Sequence, residues 1–152
     1  MLGGVMRRSG RMYVQQVAVA FGLLLCAGTG NALAQDLTED TYGPMMGEVR
    51  LLVADVSQYI DNRYWPELGE ALDKLFPEFR RMEAFWTARG NNGAVGIVGE
   101  GIAALRELGQ AGVAMEVGPA QAGLANLRAA CASCHGAHRE ADGDGFKIKA
   151  GS

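Results

Sequence analysis

Five residues near the C-terminus, Cys131-Ala132-Ser133-Cys134-His135, constrain this chain more than any other stretch. Their spacing is C-x-x-C-H, the pattern of c-type haem attachment. Each residue type has a chemical reason. Two thiols add across haem vinyl groups to form thioethers, and the adjacent imidazole binds iron on one face. On a helix, Cys131 and Cys134 are three apart and Cys131 and His135 four apart, so all three groups project from one side. The rest of the chain then has to enclose a porphyrin. Three other readings stand beside this one. A thioredoxin-like dithiol needs a βαβ context, and no convincing alternating or β-branched strand run is present. A structural zinc site usually needs four N/S ligands. Here only Cys131, Cys134, His135 and His138 are available, packed into one short stretch without a second ligand pair. The third is a chance match.

The N-terminus reads as an export signal over residues 1–34. Arg7, Arg8 and Arg11 form its positive region, Val14 to Cys26 its apolar region, and Ala32-Leu33-Ala34 its cleavage site, so Gln35 begins the mature protein. A membrane anchor is the alternative, but the apolar run is short for a span. Lipidation at Cys26 is disfavoured because Leu25, not a small residue, precedes it. Cleavage leaves Cys131 and Cys134 as the only thiols, the number one haem needs. It also removes three arginines and no acidic residue, taking the formal charge from −3 to −6. An acidic exported domain is a poor binder of nucleic acid or anionic membrane. It suits a basic protein partner, although surface charge alone commonly serves solubility.

The mature chain is organised by apolar spacing at helical period. Gln35 to Gly43 is polar and reads as an extended lead or a frayed first turn. Pro44 suits the first position of a helix. Met45, Val49, Leu52, Val56 and Tyr59, with Met46, Val53 and Ile60, then give a broad apolar face that Asp61-Asn62 ends. Pro66 starts a second helix, with Leu68, Ala71, Leu72, Leu75 and Phe76 inward. Pro77 either ends it or opens another turn, and Glu78 to Arg89 is again helical. Gly90-Asn91-Asn92-Gly93 signals a turn, read either as a connection between helices or as a break inside a longer one. Ala94 to Leu108 follows, where Gly96, Gly99 and Gly101 weaken helix propensity and permit close approach of a neighbouring helix or a cofactor. Gly118-Pro119 opens the last helix, whose stripe Leu124, Leu127, Cys131, Cys134, His138 runs into the motif. Ala141 to Ser152 reads as a loose tail. About four long helices with short connections predict an all-α antiparallel bundle, a class that builds cofactor sites in its core. The domain layout is 1–34 signal, 35–141 helical domain and 142–152 flexible tail.

At these residues the sequence resembles the class II c-type cytochromes, the cytochrome c′ and cytochrome c556 group. Cys131-Ala-Ser-Cys134-His135-Gly-Ala-His138-Arg139 looks like that family's C-x-x-C-H-x-x-aromatic-Arg, with His138 where an aromatic residue is usual. Leu75-Phe76-Pro77 resembles its turn ending the second helix, and Trp86 its tryptophan near the start of the third. The resemblance implies a left-handed four-helix bundle holding one covalent haem c, exported to the bacterial periplasm. His135 would be the proximal iron ligand, with Arg139 beside it. The alternative for Arg139 is an ordinary cation at a helix C-terminus. Pairing through the first helices, a homodimer, is also implied.

The family places a first-helix residue on the second haem face, and here Met45 and Met46 occupy that region. A thioether suits haem iron and raises its potential; the alternative is core packing, a common role of Met. Met ligation, with Met46 favoured over Met45, predicts a six-coordinate electron carrier serving redox partner proteins. A vacant face predicts a protein that binds NO or CO. No nucleophile motif, phosphate loop or second histidine-rich site is present, so no enzymatic activity is expected.

Overall fold

The structure, a computed structural model, describes residues 37–152. The signal segment, its cleavage site, Cys26 and Gln35 lie outside the described residues. Four helices follow one another: α1 (Glu39–Asn62), α2 (Trp65–Ala88), α3 (Asn92–Ala114) and α4 (Val117–His138). A two-stranded antiparallel hairpin closes the chain, β1 (Arg139–Asp142) and β2 (Gly145–Ile148).

α1 begins earlier than the sequence suggests, because a capping box starts it. The Thr38 hydroxyl accepts the Thr41 N–H, and the Thr41 hydroxyl accepts the Thr38 N–H at 2.9 Å. Two orphan donors of the first turn are thereby satisfied, and Glu39 and Asp40 complement the positive end of the dipole. Pro44 therefore lies inside the helix and does not open it. Pro77 likewise lies inside α2, which runs unbroken through the Leu75-Phe76-Pro77 segment expected to end it. Each proline removes the hydrogen bond to the carbonyl four residues back. Those carbonyls belong to Asp40 and Asp73, both exposed, so water can take the place of the lost donor.

The helix ends are set by left-handed residues. Arg63 (φ 59°) ends α1, Gly90 (φ 69°) follows α2, and Met115 (φ 58°) ends α3. Asn91 then caps α3, its side chain accepting the Ala94 N–H at 2.9 Å. Gly90–Gly93 thus contains the α2–α3 connection. Trp86 sits in the last turn of α2, not at the start of the third helix as the resemblance implied. α3 also runs past Gly109 and Gly112 to Ala114.

Such short connections force antiparallel neighbours. α1 packs on α2, α2 on α3, α3 on α4, and α4 returns to α1, which it meets least. The core is apolar throughout: among the described residues no polar or charged one is buried. Of the three α3 glycines singled out, only Gly101 is closely approached. A Cβ there would collide with the Phe79 ring, whereas Gly96 and Gly99 face open space. On α4, Gly123 lies against Leu108, whose backbone nitrogen would be 3.2 Å from an added Cβ.

Where a loose tail was expected, the chain folds back. Gly143 (φ 57°) and Asp144 form a two-residue loop, with Gly at the first position, as a type II′ hairpin turn favours. Lys147 bridges Asp142 at 3.3 Å and Glu140 at 3.7 Å across the strands. Ile148 packs against the core.

Gly101→Ala and Gly123→Ala should each destabilise the fold by about 1–3 kcal/mol through overpacking. Gly96→Ala should be neutral or stabilising by up to ~1 kcal/mol through helix propensity. Urea denaturation monitored by circular dichroism gives the order; equal effects at all three positions would refute the packing account.

Candidate functional site

The last two turns of α4 carry Cys131, Cys134 and His135. All three are half-buried, and Cys131 packs against the core. Both thiols are free. α4 ends at His138 because Arg139 adopts extended backbone (φ −118°, ψ 137°). The motif therefore lies at the end of the bundle that also gathers the start of α1, the end of α2 and the start of α3.

An aromatic body fills this end. Trp86, buried, donates its indole N–H to the Tyr42 hydroxyl at 2.9 Å. Phe85 completes the group, 4.8 Å from Tyr42 and 5.2 Å from Trp86 between ring centroids. The His138 ring lies 5.2 Å from Trp86 at 43°, and its Nδ1 is 3.4 Å from the Ser152 hydroxyl. The His138 ring thus has a packing role. At the rim, Arg89 pairs with Glu39 and stands over Phe85 at 5.1 Å.

The electrostatics follow from burial. Desolvation raises both thiols above their ordinary range, Cys134 further by the neighbouring Cys131. Reactive dithiols show the opposite shift. Burial lowers the His135 imidazole, with the Arg139 guanidinium adding to the effect, which favours the neutral ring that can ligate a metal. Burial also pushes the Tyr42 phenol up to about 12, despite the hydrogen bond from Trp86, and the charge of Cys134 and Cys131 acts in the same direction. Tyr42 is thus close enough to feel both thiols.

Met45 is buried in the core one turn beyond Tyr42, and Met46 beside it is half-buried against the core. Tyr42 is not among the sequence candidates because the polar stretch 35–43 reads as an extended lead or a frayed first turn. Its signal was present, since Tyr42, Met45, Val49, Leu52 and Val56 continue the stripe at spacings of three and four. Arg139 follows α4 directly, and its guanidinium stacks 3.9 Å over the Phe146 ring of the hairpin.

Two free thiols and a neutral imidazole on one stretch of helix suit covalent porphyrin attachment, which needs two sulfurs and one axial nitrogen. They suit zinc less: among the described residues no three of His, Cys, Asp and Glu converge as a metal group. No described helix is long and apolar enough to cross a membrane. Comparison with family models, curated proteins and solved structures gives no match.

Tyr42→Phe should destabilise the haem-free protein by about 1–3 kcal/mol at pH 7, because the buried Trp86 N–H loses its acceptor. The phenol is held above its unfolded value near 10, so wild-type stability is full below that pH and falls as pH rises toward about 12. Denaturant titrations at pH 8 and 11 should show a smaller alkaline loss in the variant. An identical loss would place the titration elsewhere.

Proposed function

We propose that this protein is a class II c-type cytochrome that carries single electrons in the periplasm. The observation that carries the reading is the C-x-x-C-H set at the end of α4, with free thiols, in a chain of four antiparallel helices. Cys131 and Cys134 would hold the haem through thioethers, and His135 would be its proximal ligand. When bound, haem iron supplies one-electron redox chemistry between ferrous and ferric states.

The chain's own part is enclosure. The apolar core would keep water from the cofactor, and burial with ligand choice would set its potential. Electron transfer of this kind needs no proton to move. Partners are redox proteins docking at the motif end, and the bundle is of the left-handed cytochrome c′ kind. The thiols, raised by burial, are poorly suited to dithiol exchange.

One observation favours a second reading, a gas-binding protein with a vacant iron face. Met45 is buried among apolar core residues, a packing role that leaves the iron face without its thioether. A Met46 or Met45 ligand remains the premise of the carrier reading.

Made with a cytochrome maturation system, the mature protein should be red and retain haem through acid–acetone extraction. Haem lost on extraction would end both readings. Met46→Ala, and not Met45→Ala, should abolish a far-red ferric charge-transfer band; loss of the band in Met45→Ala alone would exchange the two roles. A high-spin wild-type spectrum with rapid CO uptake would select the gas binder.

A further inference from the structure

The hairpin sorts its side chains onto two faces. Register places Arg139 opposite Ile148, Ala141 opposite Phe146, and Glu140 opposite Lys147. Alternation along each strand then puts Arg139, Ala141, Phe146 and Ile148 on one face, and Glu140, Asp142 and Lys147 on the other. The charged face satisfies itself, since Lys147 pairs with both carboxylates. The opposite face does not. Ile148 reaches the core, but Phe146 remains 63% exposed with Arg139 stacked on it.

That stacking leaves a capacity unused. A guanidinium on an aromatic ring spends its flat face and keeps its in-plane fork of N–H donors. Among the described residues Arg139 has no ion-pair partner, although Glu140 is its chain neighbour; both nearby carboxylates are bonded to Lys147. A stacked, unpaired guanidinium is a receptor for a carboxylate.

Its position narrows which carboxylate. Arg139 lies four residues beyond His135, at the C-cap of α4. The Lys149 N–H donates to the His138 carbonyl at 2.9 Å, tying the hairpin exit to the end of α4. β2 meanwhile packs on α1. The hairpin therefore bridges α4 and α1 beside the motif. The group this motif would hold, a haem, bears two propionate carboxylates.

We propose that the C-terminal hairpin is a strap across the α1–α4 seam, in which Phe146 is a positioning residue that presents the Arg139 guanidinium to a haem propionate. The proposal rests on the haem reading above and adds a role for a segment outside the helical domain. The positive charge disfavours the ferric state, so removing it moves the redox equilibrium toward ferric.

The test uses the mature haem-loaded protein. Arg139→Gln should shift the ferric/ferrous equilibrium toward ferric by about threefold to tenfold, the scale of one unit charge in a partly solvated site. Phe146→Leu should shift it in the same direction, and Phe146→Trp should restore the wild-type value. Amide exchange of β1 and β2 should slow in the haem-loaded protein relative to the haem-free one. An unchanged equilibrium in Arg139→Gln with haem retained overturns the strap and leaves the cytochrome reading intact. A shift in Arg139→Gln without one in Phe146→Leu overturns the positioning role. Equal exchange with and without haem overturns the contact. Failure to retain haem in the wild type instead overturns the function itself.

Discussion

The buried indole of Trp86 holds one end of this bundle together. An indole N–H out of contact with water needs an acceptor, and the Tyr42 hydroxyl supplies it. That hydrogen bond fixes the first turn of α1 against the last turn of α2. The His138 ring on the same indole brings in the end of α4. Three helix termini thus share one side chain. The nearby Glu39–Arg89 pair spans the same two helices as Tyr42–Trp86, but an exposed ion pair contributes little to stability.

This joint places an aromatic wall at the end of the bundle where α4 carries the motif. The capping box starts α1 at Glu39, so the residue brought into the Trp86 cluster is Tyr42, with Met45 and Met46 one turn deeper. Five residues of helix decide which side chain meets the end of α4. A reading that begins α1 at Pro44 leaves out the turn that carries Tyr42.

Much of the fold was legible in the sequence, for physical reasons. Apolar spacing of three and four marks a helix face, and Asp61-Asn62, Gly90–Gly93 and Gly118-Pro119 marked the breaks between faces. The motif was legible because its three groups are local in sequence. The prolines misled. Pro44 and Pro77 look like boundaries, yet each frees a carbonyl on an exposed residue, where the loss is small enough for the helix to continue. The hairpin was missed because its strands are only four residues long and rich in charge. It is anchored by Ile148 on the core and by the Lys149 N–H on the His138 carbonyl, which composition does not reveal. Tyr42 was missed through the misplaced start of α1, although its spacing was correct.

The order of packing also has a kinetic side. α1 with α2, α2 with α3 and α3 with α4 join neighbours in sequence, so each pair can form with little loop-closure entropy. The α1–α4 contact is different: it joins the two ends of the bundle and is the sparsest of the four seams. Such a contact carries the largest loop-closure cost of the four and has the least packing to offset it. The side of the bundle nearest the thiols is therefore the side whose opening disturbs the rest of the protein least.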